Sequence, residues 1–145
     1  MIAVMSLVFA ASVYPAGRLQ DKIGARPLLI LGLVALIAAD LLLGFGQSLV
    51  VLFIGIGLWG LHMGLTQGVL SALVAAMAPE HLRGTAFGVF GLITGLAALG
   101  ASVLAGTLWD VIGPAATFAA GAGFAVLALV GFLVVGSRRK IAAEP

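Results

Sequence analysis

The stretch LVVLFIGIGLWGLHMGLTQGVLSALVAAM, residues 49–77, decides the fold class of this chain, because it contains no Asp, Glu, Lys or Arg. A helix rises 1.5 Å per residue, so this stretch would extend about 44 Å. That length exceeds the roughly 30 Å hydrocarbon core of a bilayer, yet it is too short for two helices and a turn. We therefore predict one membrane-spanning helix, accommodated by tilt or by a glycine kink.

The rest of the chain has a similar character. Of its 145 residues, 63% are hydrophobic and 8% are charged, whereas soluble domains carry about 25% charged residues. Apolar stretches alternate with short polar breaks, which predicts an all-α, polytopic transmembrane bundle that forms a single domain over residues 1–145. The five predicted spans cover residues 1–16, 28–44, 49–77, 85–108 and 115–136.

The first predicted span is unusually short. Tyr14 and Pro15 are interpreted as a helix end at the membrane surface. Sixteen residues reach only about 24 Å, which is less than the hydrocarbon core requires. This predicts that the chain begins inside a helix and that the domain is incomplete at its amino terminus.

The basic residues predict the orientation. All seven lie in three polar breaks on one side of the predicted membrane: Arg18, Lys22, Arg26, Arg83, Arg138, Arg139 and Lys140. The opposite breaks, residues 44–48 and 110–114, contain no Lys or Arg. Because cytoplasmic loops carry the excess of positive charge, we expect the amino terminus outside and the carboxyl terminus in the cytoplasm. The expected location is a bacterial inner membrane.

The break after the first span carries a specific motif, GRLQDKIGAR, residues 17–26. It resembles the loop motif that transporters of the major facilitator superfamily (MFS) carry between their second and third helices and repeat between the eighth and ninth. Ala25 stands where that pattern usually has a basic residue. The residues that match are Gly17, Leu19, Asp21, Lys22, Gly24 and Arg26.

Other breaks resemble the carboxyl-terminal half of such a transporter. PEHLRGTAFG, residues 79–88, resembles the loop before the eleventh helix, and GTLWDVIG, residues 106–113, resembles the turn into the twelfth. No arginine lies where the fourth helix of the family commonly has one, which argues against the amino half. The resemblance implies that the five spans are helices eight to twelve, and that Asp21, supported by Arg26, gates the transporter by contacting a helix end in the absent half.

Small residues predict two packing faces, because they let helix backbones approach closely in lipid. One face is on the third span and the other on the fourth. The glycines concerned are Gly60, Gly64, Gly68, Gly84, Gly88, Gly91, Gly95 and Gly106.

Polar side chains at membrane depth usually face protein or a water-filled cavity. On the third span these are Trp59, His62, Thr66 and Gln67, and the resemblance implies that they could contact substrate, with His62 as a possible proton carrier. The alternative is that His62 and Thr66 bond neighbouring helices while Trp59 packs. Asp40 could be a relay carboxylate, but its predicted position near the interface favours a solvated or paired acid.

No motif for an enzyme or a cofactor stands out. The chain has no cysteine, no Walker motif and no group of residues that suggests catalysis or metal binding. Gly55, Gly57 and Gly60 spell GxGxxG, but a soluble dinucleotide-binding domain would need charged residues in this region, and residues 41–79 contain none. We expect no nucleic acid, metal or cofactor as a partner, and ATP is disfavoured as a direct energy source.

Two function classes follow from these observations. The first is the carboxyl-terminal part of a secondary active transporter, which moves a small solute by alternating access once the missing half completes it. The second is a nontransporting truncated protein or assembly subunit, which binds other membrane proteins through its glycine faces. The lipid bilayer is a partner in both, and an intramembrane enzyme is a poorer third. Substrate, coupling ion, transport direction and oligomeric state stay open.

Overall fold

The computed structural model describes the backbone of residues 1–141 and the side chains of residues 1–135. The described backbone forms five long helices and one short 3-10 turn, Glu80–Leu82, with no strand. The basic side chains of residues 138–140, which the sequence analysis assigns to the cytoplasmic side, lie outside this part. The helices are α1 Ile2–Ile23, α2 Ala25–Phe45, α3 Leu49–Met77, α4 Arg83–Val111 and α5 Pro114–Ile141.

All five helices are long and apolar enough to cross a membrane. Most of their large apolar side chains are exposed, as expected where lipid rather than a protein core covers them. This confirms the predicted all-α membrane bundle. The bounds of α3 agree with the predicted span, and the other helices extend beyond their predicted apolar cores.

The first helix corrects the sequence analysis. α1 continues through Pro15 to Ile23, so the interpretation of Tyr14 and Pro15 as a helix end is wrong. Membrane helices tolerate an internal proline because surrounding groups can satisfy the freed backbone carbonyl. With 22 residues, α1 extends about 33 Å, which is enough to cross the hydrocarbon core.

Local sequence sets the turns between the helices. Gly24, with a φ of 83°, ends α1, and Gly113, with a φ of 116°, stands between α4 and α5. Such backbone angles are favourable only for glycine. Before α3, the hydroxyl of Ser48 accepts a hydrogen bond from the amide of Val51 at 3.3 Å, which caps the helix. α3 ends at Met77, two residues before Pro79.

The two positive-φ glycines close copies of one sequence pattern. Residues 17–24, GRLQDKIG, and residues 106–113, GTLWDVIG, share G-x-L-x-D-x-I-G. In both copies the pattern covers the last turns of one helix and the glycine that precedes the next. The helix pairs α1–α2 and α4–α5 are therefore repeats of each other, which the sequence analysis did not detect.

α3 is the helix around which the others assemble. It packs along both α1 and α2, and α5 packs on another face of α2. The members of each repeated pair, α1 with α2 and α4 with α5, contact each other only slightly. α4 also contacts α3 slightly and buries none of its residues among the described part of the chain.

Two glycines of α3 let it approach α1 closely. A Cβ atom at Gly60 would lie 2.5 Å from the carbonyl oxygen of Met5, and one at Gly64 would collide with the Ser12 hydroxyl. Gly68 has no described atom within 4 Å of the same position. The close contact is therefore confined to the first two of the three glycines.

We predict that Gly60→Ala destabilises the bundle. The new methyl group would press on the backbone of α1, which cannot rotate away, and such overpacking costs about 1–3 kcal/mol. Gly68→Ala is the matched control on the same helix, and we expect it to be neutral or stabilising by up to about 1 kcal/mol, since alanine favours helices. Unfolding of the purified protein in mixed micelles measures both. Equal stability of the two variants would contradict the close contact.

Candidate functional site

A large cleft lies along α4 and α5. Its volume is about 680 Å³, which is within the usual range for small-molecule sites. We call it the α4–α5 cleft. Its wall comprises Leu36 and Asp40 of α2, Trp59 of α3, residues 97, 100, 101, 104, 105 and 108 of α4, and residues 117, 118, 120, 121 and 124 of α5.

Asp40 is the acidic group of this cleft. It is only 7% exposed, and the residues that the structure describes form no hydrogen bond with it. Its carboxyl group lies against Gly121, where a Cβ atom would come within 2.7 Å of Oδ2. The sequence analysis favoured a solvated or paired acid near the interface. The structure instead buries Asp40 between α2 and α5, beside the cleft.

One end of the cleft is fixed by contacts across the α4–α5 turn. The hydroxyl of Thr117 donates to the carbonyl oxygen of Ala105 at 3.3 Å. The rings of Trp109 and Phe118 meet edge to face, with their centres 6.3 Å apart. These contacts join the two helices near their turn, and the cleft opens beyond them.

The four polar residues predicted on α3 do not lie together. Trp59 is 41% exposed and lines the α4–α5 cleft. Gln67 is exposed elsewhere on the helix. His62 and Thr66 face α2 and do not line this cleft.

His62 and Thr66 pack around Gly32 of α2. The Nδ1 atom of His62 lies 2.8 Å from the Gly32 carbonyl oxygen, and because a carbonyl only accepts, Nδ1 is the donor. Thr66 donates to the His62 carbonyl oxygen at 2.8 Å and is 8% exposed. A Cβ atom at Gly32 would lie 2.5 Å from the Thr66 methyl group. Both residues therefore connect α3 to α2. This arrangement agrees with the alternative that His62 and Thr66 bond a neighbouring helix and do not contact substrate.

The motif of residues 17–26 lies on helix ends rather than in a loop, which corrects its predicted setting. Gly17, Leu19, Asp21 and Lys22 occupy the last turns of α1, Gly24 is the linker, and Arg26 is in the first turn of α2. The motif is helical because α1 continues past Pro15 to Ile23. This leaves a single residue, Gly24, between the two helices.

Asp21 lines a second cleft of about 310 Å³, which we call the α1–α3 cleft. Gly17 of the motif and Gly68 of α3 share its wall. Asp21, Leu19 and Lys22 are exposed. The acid of the motif is therefore accessible at this end of the bundle.

The two arginines near this end stack on aromatic rings. The Arg26 guanidinium lies 5.9 Å from the centre of the Phe132 ring of α5. The Arg18 guanidinium lies 5.0 Å from the centre of the Tyr14 ring on its own helix. Both distances suit cation–π contacts, and the first connects α2 to α5.

The glycines of the GxGxxG pattern on α3 and the glycines of α4 have different surroundings. Gly55 packs on Leu42 and Leu43 of α2, and Gly60 packs on α1, so GxGxxG consists of helix contacts within α3. The glycine face of α4 has no described atom within 4 Å of its Cβ positions. Its members are Gly84, Gly88, Gly91, Gly95 and Gly106.

These features define a bundle of membrane-spanning helices with a repeated helix pair and an acidic motif at one end. A sequence model of the Major Facilitator Superfamily matches residues 1–145. The chain belongs to this superfamily and is an integral membrane protein.

Relatives agree with this assignment. An uncharacterised MFS-type transporter of Methanocaldococcus jannaschii is 35% identical over 127 residues, which are 84% of this chain and 30% of that protein. The class B tetracycline resistance protein of Escherichia coli is 30% identical over 135 residues, 93% of this chain and 32% of that protein. The class H tetracycline resistance protein of Pasteurella multocida is 31% identical over 111 residues, which are 77% of this chain and 27% of that protein. The chain spans less than a third of the length of each.

The burial of Asp40 and the repeat are the features that sequence reasoning missed. Asp40 is the only charged residue between Arg26 and Glu80, and an acid alone in so long an apolar region is a signal for burial. The shared G-x-L-x-D-x-I-G pattern was also visible in the sequence. Its significance depends on the matching backbone angles at the two glycines.

We predict an energetic coupling between Asp40 and Gly121. Gly121→Ala should destabilise the bundle, because the new methyl group would displace the carboxyl group, and Asp40→Ala should relieve that cost. The coupling free energy from a double-mutant cycle should be about 0.5–3 kcal/mol. Gly123→Ala, also on α5 and without a described atom within 4 Å, is the control and should show no coupling to Asp40→Ala. Additive effects of Gly121→Ala and Asp40→Ala would contradict the contact.

Proposed function

We propose that residues 1–145 are helices eight to twelve of a secondary active transporter, which moves a small solute by alternating access. The observation that carries this proposal is the family match over residues 1–145 together with the motif of residues 17–26 at one end of the bundle. Coverage of less than a third of each relative supports the view that other helices complete the transporter. A gradient of ions or solute drives transport in such proteins.

The proposed orientation rests on the distribution of positive charge. Arg18, Lys22, Arg26 and Arg83 lie at the same end of the described helices, and the α2–α3 and α4–α5 turns carry no Lys or Arg. By the positive-inside rule, this distribution supports an orientation with the motif and the carboxyl terminus in the cytoplasm. The proposed location is a bacterial inner membrane.

Asp21 has the exposure that a gating residue requires. It stands at the cytoplasmic end of α1 and lines the α1–α3 cleft, so a helix of the other half can reach it. A carboxylate is stabilised near the amino-terminal end of a helix, where backbone amides are free. Contact in one conformation and separation in the other would bias the equilibrium between them. Arg26 supports the gate by keeping α2 against α5.

Among the predicted substrate contacts, Trp59 and Gln67 are the available ones. Both are exposed in the described bundle, whereas His62 and Thr66 are engaged with α2. We assign substrate contact to the first two residues, and helix packing to the second two. Two relatives are named as tetracycline resistance proteins, which makes tetracycline the first candidate substrate.

We predict that Asp21→Asn lowers transport by the full-length protein at least about fivefold, because a coupling between sites is typically 1–3 kcal/mol. Accumulation in everted membrane vesicles measures the rate, with tetracycline as the first probe and a panel of small solutes after it. Asp110→Asn is the matched control. Asp110 holds the same position in the second copy of the repeat but lies at the outer end, so its replacement should leave transport near the wild-type rate.

Other outcomes would count against the proposal. Equal rates for Asp21→Asn and the wild type would remove the gating role. A folded full-length protein that transports no member of the panel would favour the nontransporting alternative, for which the open glycine face of α4 is the supporting observation. In that case the protein should copurify with another membrane protein that binds the glycine face of α4, and Gly91→Leu should abolish the association.

A further inference from the structure

One face of α1 changes from apolar to basic towards the carboxyl-terminal end of the helix. Its residues are three or four positions apart, so they lie one above another on the helix. All of them are exposed, and we call this surface the Tyr14 face. Its members are Leu7, Ala11, Tyr14, Arg18 and Lys22.

We propose that the Tyr14 face binds an anionic phospholipid. The lipid phosphate lies between Arg18 and Lys22, and one acyl chain lies along Leu7 and Ala11. This partner is more specific than the bilayer that surrounds every membrane helix, because the site selects the charge of the lipid. The proposal goes beyond transport and applies equally to a nontransporting protein.

The Tyr14 face is open in the described chain. α3 packs on another side of α1, at Met5 and Ser12. Arg18 and Lys22 form no ion pair with any residue that the structure describes. The acid between them in sequence, Asp21, lines the α1–α3 cleft. Both positive charges are therefore available to an anion from outside the chain.

The spacing along α1 matches the layers of one leaflet. At 1.5 Å per residue, Arg18 lies about 6 Å beyond Tyr14 along the helix axis. The polar headgroup layer of a leaflet is about 5–7 Å thick. With Tyr14 at the edge of the hydrocarbon, where tyrosines are enriched, Arg18 is at the depth of the phosphate. Leu7 lies about 10 Å on the other side of Tyr14, at the depth of the acyl chains.

The contact between Arg18 and Tyr14 shows the direction in which the basic side chains extend. The Arg18 guanidinium lies 5.0 Å from the centre of the Tyr14 ring, one turn nearer the amino-terminal end of α1. Helical side chains point in this direction in general, which directs Lys22 back towards Arg18. A cation–π contact needs no hydrogen-bond acceptor, so the N–H groups of Arg18 remain for phosphate oxygens.

The test measures which lipids are concentrated beside α1 in the full-length protein. The present chain contains no cysteine, and any cysteine elsewhere would be replaced by serine. Ala11→Cys carries a fluorophore, and the protein is reconstituted into phosphatidylcholine vesicles. A small fraction of the lipid is phosphatidylglycerol or phosphatidylcholine with a nitroxide on its acyl chain, which quenches a nearby fluorophore.

We expect phosphatidylglycerol to be preferred over phosphatidylcholine beside Ala11→Cys by at least about tenfold, because each basic residue near an anionic lipid contributes about fivefold. Arg18→Gln should therefore lower the preference about fivefold. Arg83→Gln, which removes a basic residue of α4 at the same end of the bundle, should leave it unchanged. Leu96→Cys, 61% exposed on α4 and outside the α4–α5 cleft, is the control position and should show no such preference.

Two substitutions of Tyr14 separate a formed site from general attraction between charges. Tyr14→Phe keeps the ring beside Arg18 and should retain the preference. Tyr14→Leu keeps an apolar side chain and the net charge but removes the ring that positions the guanidinium. We expect it to lower the preference severalfold.

Four results would overturn the proposal. They are equal quenching by the two lipids at Ala11→Cys, an equal preference at Leu96→Cys, an unchanged preference when Arg18→Gln is combined with Lys22→Gln, and an unchanged preference in Tyr14→Leu. Inorganic phosphate at the concentration of the labelled lipid should not remove the preference, and its removal would identify a free anion as the ligand instead. None of these results depends on transport, so the proposed function stands or falls separately.

Discussion

The close approach of α3 to its neighbours is the constraint on which the rest of the bundle depends. In lipid, two apolar helices gain no hydrophobic stabilisation by associating, so packing and interhelical hydrogen bonds must hold them together. Gly60 and Gly64 bring the backbone of α1 into contact, and Gly55 brings α2. The His62 bond to Gly32 adds a polar contact at the second interface. α3 is thus fixed against two helices, and through α2 the bundle extends to α5.

The same constraint explains how the bundle uses its few polar side chains. His62 and Thr66 satisfy their donors with backbone carbonyls, and a glycine opposite gives them room. Asp40 also lies against a glycine, Gly121, but its carboxyl group borders a cleft. A small residue facing a polar one is therefore a recurring arrangement between these helices. It serves packing in one case and places a carboxyl group at the edge of a cleft in the other.

Much of the fold could be predicted because hydrophobic length is a strong signal in lipid. Residues 49–77 were bounded correctly, since Ser48 and Pro79 mark both ends. Pro15 misled the prediction of α1, because its usual effect in soluble helices does not transfer to membrane helices. The grouping of polar residues on α3 could not be resolved by helix periodicity alone. Which neighbour each side of α3 meets depends on contacts with α1 and α2 that lie far apart in sequence.

Comparison of the two copies of the repeat shows which residues form the turn and which residues determine the charge around it. Both copies of G-x-L-x-D-x-I-G end a helix and turn the chain at a positive-φ glycine, so the pattern itself is sufficient for the turn. The first copy has Arg18, Lys22 and Arg26 around it, whereas the second has Thr107, Val111 and Ala115 at the corresponding positions. Under the positive-inside rule, the charge around the first copy favours the cytoplasmic side for that turn, whereas nothing around the second copy does. The different roles proposed for Asp21 and Asp110 therefore rest on the neighbours of the two acids, since both occupy equivalent places in the shared pattern.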